Sequence, residues 1–268
     1  MKKLNKRGMT MDMKALKKKI FKVTELLPMS ERESQELALK IFVDYCYGSA
    51  MLAWRQMNPR ASMFIMSNIQ CEMPYDADEV ALKEAFNMYV AIVSNSKPFT
   101  DVFSKLTEEI ILSGRKGKSR GKGRGQFFTP EAVAYVLPEL TFPDPDEIKA
   151  WDSIKLVGEI CCGAGSLILA FLSHVHEVDP DKLNMLGLIL NDIDEFACKT
   201  TLVQILSTIM LHHLPIDHIK MFNANAITEY FKEGHLYFWH QSPAESEIQF
   251  DVGVMVDDES DVNNHCKL

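Results

Sequence analysis

Apolar and polar positions change their period partway along the chain. From Ser30 to about Ser113 the apolar residues recur at helical spacing. Leu37, Leu39, Ile41, Phe42, Tyr45 and Cys46 form one stripe, and Ser30 with Glu33 ahead of it has the spacing of a capping box. In "NPRASMFIMSNI", Asn58 as N-cap and Pro59 at the first helical position predict a second helix. "DADEVALKEAFNMYVAIV" predicts a third, with Asp76 and Glu79 as another capping box, and a further helix is predicted from Pro98 to Leu112. Past residue 150 short apolar runs alternate with amphipathic stretches, the pattern of a parallel sheet with crossover helices. "IKLVGEI" (Ile154 to Ile160), "MLGLILND" (Met185 to Asp192), "IKMFNA" (Ile219 to Ala224) and "IQFDVGVMV" (Ile248 to Val256) read as strands. "SLILAFLSHV" (Ser166 to Val175) and "FACKTTLVQILSTIML" (Phe196 to Leu211) read as helices between them.

Between the two regimes "SGRKGKSRGKGRG" has no period at all. Five glycines in the twelve residues from Gly114 to Gly125 make ordering costly, so it reads as a connector. The organisation that follows is a helical N-terminal domain over 1–112, a basic glycine-rich linker over 113–125 and an α/β domain over 126–268.

Composition changes this picture in one respect. The 268 residues carry a net charge of −8, which opposes a nucleic-acid partner, but the charge is unevenly placed. The linker holds Arg115, Lys116, Lys118, Arg120, Lys122 and Arg124 with no acid among them, and the acids collect in the last quarter. A phosphate-contacting segment on an acidic body has this look, and so does a solvated tail. No run of eighteen uncharged apolar residues occurs, and the basic start lacks the continuous apolar segment of a signal peptide, so the expectation is a cytoplasmic protein without a membrane span. The six cysteines suit neither a disulfide framework nor a metal knuckle. His174 and His176, His212 and His213, and Cys161 and Cys162 have no zinc-site spacing, so no metal is expected.

Three stretches carry candidate chemistry. "GEICCGAGSL" ends a strand in Glu159 and opens a helix through Gly163 and Gly165, which lets the backbone approach a ligand closely; a plain strand-to-helix turn has the same look. It lacks the third glycine of a dinucleotide fingerprint and the Lys-Ser/Thr pair of a P-loop. "LILNDID" puts Asp192 at the end of the next strand, where an acid accepts hydrogen bonds from both ribose hydroxyls of a nucleoside, whereas Asp194 suits a helix N-cap. "GQFFTPEAV" starts a helix with Thr129 as cap and Pro130 behind it, and places Phe127 and Phe128 just ahead.

In this order and spacing, GQFFTP, EICCGAG and NDID resemble the N6-adenine DNA methyltransferases, in particular the M subunits of type I restriction-modification systems and short phage or mobile-element relatives. The resemblance covers about Phe99 to Val256. It implies a Rossmann-like, S-adenosylmethionine-dependent methyltransferase fold behind a helical N-terminal domain, with DNA as partner. It implies that Phe127, Phe128, Thr129, Glu159, Cys161, Gly163 and Gly165 surround the methionine part of S-adenosylmethionine, that Asp192 holds the ribose, and that Asn225 lies near the adenine, with Asn223 as the alternative and a plain turn asparagine as the other reading of either.

The family's catalytic loop, (Asn/Asp)-Pro-Pro-(Tyr/Phe), belongs at the end of the strand "FDVGVMV". There Val256, Asp257, Asp258 and Glu259 stand instead, with no proline pair and no aromatic residue to stack on a flipped base. Asp257 and Asp258 make this loop degenerate, and the family's later strands are missing, as in a fold cut short at its C-terminal end. The expectation is therefore an S-adenosylmethionine-binding, methyltransferase-like protein with weak or no activity. The alternatives are a non-catalytic DNA-binding or restriction-modification subunit partner, and an active N-methyltransferase on another amino-bearing substrate that uses Asp257.

Overall fold

The computed structural model describes residues 2–65, 69–104, 106–107, 143–229 and 233–242. Three long helices come first: α1 (Lys2–Lys22), α2 (Glu31–Met57) and α3 (Glu79–Asn95). The Ser30 and Glu33 capping box starts α2 as its spacing predicts, each side chain taking a backbone N–H of the other. Three of the other helix starts differ. In the helix expected from Pro98, residues 98–102 are not helical and the helix begins at Phe103. Asn58 closes α2 rather than opening a helix, its backbone N–H donating to Trp54 O at 3.0 Å. The next residues form strand β1 (Ser62–Ile65). Asp78, not Asp76, caps α3 by accepting from Ala81 N at 2.8 Å.

The later elements follow the α/β alternation: α4 (Pro145–Lys149), β2 (Lys155–Glu159), α5 (Ser166–Val178), β3 (Leu186–Asp192), α6 (Glu195–His212), β4 (His218–Asn223) and β5 (Leu236–Gln241). They form one five-stranded sheet in the order β1-β5-β4-β3-β2, so the fold is mixed α/β. The sheet is parallel only from β2 through β4, because β5 pairs antiparallel with β4 and β1 antiparallel with β5. The sequence pattern predicts neither β5 nor β1. Their pairing partners lie about as far apart as Ser62 and Gln241, and nothing local announces such a pair. The strand expected at Ile248 to Val256, with the truncation it bears on, lies outside the described residues.

One core joins the helices to the sheet. Leu188, Leu190, Ile219, Met221 and Phe238 are fully buried on the sheet, and Phe42, Leu82 and Phe103 are fully buried beside them. A side chain of this size removed from water contributes about 1.5–3 kcal/mol. Polar contacts tie the layers together: Lys199 of α6 meets Asp44 of α2 at 2.7 Å between helices, and Trp54 Nε1 of α2 donates to His240 Nδ1 of β5 at 3.1 Å between helix and sheet. Among the described residues no helix is long and apolar enough to cross a membrane, and no cluster of ligating side chains could hold a metal ion.

Candidate functional site

The carboxyl ends of the parallel strands β2 and β3 lie side by side, and the chain leaving β2 turns across the end of β3 before entering α5. This turn is tied down backbone to backbone, Cys162 N donating to Asn191 O at 2.9 Å and Gly165 N to Cys162 O at 2.8 Å. Two of its residues have left-handed backbones, Gly163 at φ +55° and Gly165 at φ +93°. Their surroundings differ. A Cβ on Gly165 would press on Thr201 Oγ1 at 3.1 Å, whereas a Cβ on Gly163 would meet none of the described residues within 4 Å. Gly165 serves packing, and among the described residues Gly163 faces open space.

Asp192 sits beneath this loop at the end of β3. Its Oδ2 accepts from Gly163 N at 2.8 Å and its Oδ1 from Asp194 N at 2.9 Å, so the carboxylate is held in one orientation with a further lone pair on each oxygen. Its backbone oxygen accepts from Asn223 Nδ2 at 3.0 Å and from Ala224 N at 3.2 Å, which joins the ends of β3 and β4. Asp194 caps α6 through Phe196 N at 3.2 Å. Glu159, at the end of β2, accepts from Ile168 N in the first turn of α5 at 3.1 Å. Burial pushes its carboxyl up to about 8, the Ile168 N–H opposes that rise, and the negative charge of Asp192 adds to it. The site therefore holds two acids in different surroundings: Asp192, oriented by two backbone N–H groups, and Glu159, whose burial favours the protonated form. A cavity of about 470 Å³ opens along β2 beside Glu159, lined by Trp151, Leu156, Val157, Ile168 and Phe171.

The remaining sequence candidates are placed as follows. Cys161 is exposed on the loop, and Cys162 is buried with its thiol held well above the usual range by that burial, a packing residue rather than a nucleophile. Asn225 forms a turn in which its Oδ1 accepts from Ile227 N at 3.0 Å and its backbone N–H donates to Glu229 at 3.3 Å. The structure thus brings Glu159, Gly163, Gly165, Asp192 and the turn at Asn225 to one end of the sheet. Phe127, Phe128 and Thr129, the basic residues Arg115, Lys116, Lys118, Arg120, Lys122 and Arg124, and Asp257 and Asp258 lie outside the described residues.

Three further residues shape the site without a role predicted from the sequence. Asn191 donates from Nδ2 to both Ile160 O at 2.9 Å and Ala224 O at 3.1 Å, bridging the ends of β2 and β4, while its buried Oδ1 meets no donor among the described residues. Thr201 donates to Gly163 O at 2.8 Å and Gln204 to Ala164 O at 2.7 Å. The available signal is their polarity at buried positions of otherwise apolar elements.

In comparison with known proteins, a family model described as N-6 DNA Methylase matches residues 99–248, more than half of the chain. Neither the curated proteins nor the solved structures give a match.

Proposed function

The chain belongs to the N-6 DNA methylase family, and from that premise we propose that the loop after β2 and the ends of β3 and β4 bind S-adenosylmethionine. The protein is then an adenine-specific DNA methyltransferase-like protein of a restriction-modification or mobile-element system. The observation that supports this most is the contrast between the two loop glycines, because left-handed Gly163 leaves room for a ligand directly above the oriented carboxylate of Asp192. The donor set suits the group. We assign Glu159, Cys161, Gly163 and Gly165 to the methionine part, with Phe127, Phe128 and Thr129 assigned there from the sequence motif, and the open lone pairs of Asp192 suit ribose hydroxyls. Asn225 is assigned to the adenine. Glu159 gains most from a cationic neighbour, and the methionine ammonium is one. S-adenosylmethionine supplies an electrophilic methyl group when bound.

Activity on DNA is proposed to be weak or absent, because Asp257, Asp258 and Glu259 occupy the position of the Asn-Pro-Pro-aromatic loop. An acid still accepts a hydrogen bond from an adenine amino group, but four acids within five residues repel a DNA backbone. Calorimetric titration with S-adenosylmethionine tests the pocket, and transfer of labelled methyl to mixed-sequence DNA tests the chemistry. Absence of binding overturns the first proposal, and robust label in adenine overturns the second.

The basic run from Arg115 to Arg124 favours a second reading, a non-catalytic partner that binds DNA or another subunit. Six neutralised phosphates predict a log–log salt slope of about −5 on duplex DNA. A flat slope, or affinity unchanged when all six residues become alanine, removes this reading.

A further inference from the structure

The geometry points to Gln204 as the positioning residue that holds the glycine loop in its ligand-binding shape by locking it to the helix start at Asp101–Ser104. This rests on the reading of that loop as a cofactor site. Gln204 is 3% exposed, and its amide makes four hydrogen bonds. Nε2 donates to Ala164 O, between the two left-handed glycines, at 2.7 Å and to Asp101 Oδ1 at 3.1 Å. Oε1 accepts from Val102 N at 2.7 Å and Phe103 N at 3.1 Å. With both donors and both lone pairs used, the amide orientation is fixed and no other residue type of this length makes the same set.

A parallel link runs beside it. Ser166, the first residue of α5 and the exit of the loop, donates to Asp101 Oδ2 at 2.8 Å, and its hydroxyl also meets that of Ser104 at 2.7 Å. Asp101 in turn caps this helix start by accepting from Ser104 N at 3.0 Å. The loop is thereby held from α6 at Gly163 and Ala164, and from the helix start at Ser166.

A second observation is independent of these bonds. Phe99, which leads into the helix start, is buried with a left-handed backbone at φ +61°, a conformation costly for an aromatic residue. Such a backbone persists only where surrounding contacts over-determine it. Phe99 is buried with its ring against His176 of α5 at 6.3 Å between centroids, so the segment leading to Asp101 is held on that side as well. The functional consequence is selective. Gly163 and Gly165 approach the methionine part of the cofactor, while the ribose acid Asp192 is also anchored by Asp194 N and by its place in β3.

The test compares wild-type protein with Gln204→Met, which keeps length and removes all four hydrogen bonds. Calorimetric affinities for S-adenosylmethionine and for adenosine are measured alongside hydrogen exchange of the peptide Ile160–Ser166. The expected result is at least tenfold weaker S-adenosylmethionine binding with adenosine affinity within twofold, and faster exchange in that peptide and at Val102 and Phe103, whose N–H groups lose their acceptor, but not elsewhere. Unchanged binding of both ligands, or equal loss of both, overturns the inference. If wild type binds no S-adenosylmethionine, the cofactor reading fails, and the exchange experiment decides the clamp by itself: unchanged loop exchange overturns it. Should Gln204→Met not fold, Gln204→Asn keeps the amide but withdraws it by one methylene from Ala164 O and from Val102 N, and unchanged loop exchange in that variant overturns the inference.

Discussion

Replacing Glu159 by glutamine separates what this residue does for the fold from what it does for a ligand. In the folded protein burial pushes the carboxyl from its ordinary 4.5 up to about 8, while the unfolded chain ionises normally. Between those two values the folded state keeps a proton that the unfolded state has released, so stability falls as pH rises through the window. At about 1.4 kcal/mol per pH unit the full rise corresponds to about 5 kcal/mol. Glu159 is partly solvated at the loop, which scales this to about 2 kcal/mol. The glutamine side chain keeps an acceptor for Ile168 N and never ionises. The variant is thus expected to match wild type near pH 4.5 and to exceed it by about 2 kcal/mol at pH 8 in urea unfolding. Ligand binding should move the other way: an incoming ammonium favours the ionised carboxylate, so wild-type affinity for S-adenosylmethionine rises with pH toward 8, and Glu159→Gln binds more weakly with that rise removed. A stability difference that is the same at pH 5 and pH 8 refutes the account of Glu159 as a desolvated acid.

Four further variants have outcomes that the structure fixes. Asp192→Ala deletes the acceptor for Gly163 N and Asp194 N and is expected to weaken S-adenosylmethionine binding at least a hundredfold by calorimetry. Gly165→Ala combines a left-handed backbone with contact on Thr201 and is expected to lower stability by about 1–3 kcal/mol. Gly163→Ala carries only the backbone cost of about 1–2 kcal/mol, yet its methyl group enters the open space and should abolish binding, so comparing denaturation and titration for the two variants separates packing from ligand approach. His240, held down at about 4 by burial and by neighbouring His218, favours the neutral form that accepts from Trp54. Its folded value lies below its unfolded one, so its contribution is complete above pH 6.5 and is lost as pH falls toward 4, up to about 3 kcal/mol. Urea midpoints across that range should flatten in His240→Gln.

The parts of this fold that were legible in the sequence are those fixed by near neighbours. The capping box at Ser30, the strands ending in Glu159 and Asp192, and helices α5 and α6 all follow from local period and capping. Strand β1 was hidden because "SMFI" beside further methionines has no local feature separating a short edge strand from a helix turn, and its conformation is decided by partners in β5. At the site, Asp192 and the two glycines announce themselves through chemistry at strand ends. Gln204 and Thr201 do not, because a buried polar residue inside a helix reads as noise until the carbonyl it serves is known.

The pairing of Ser62–Ile65 with Gln241–Phe238 also bears on how the chain protects itself. Strand β5 is rich in large rings, with Tyr237, Phe238 and Trp239 in succession, and among the described residues one of its edges is covered only by those four early residues. A fragment beginning after residue 65 would present that edge, with its backbone groups unpaired, to any other chain. Such an edge is a template for cross-strand stacking between molecules. Residues 62–65 therefore act as a guard against self-association of β5. Separating the two by proteolysis or by cloning is expected to produce aggregates rather than a soluble sheet.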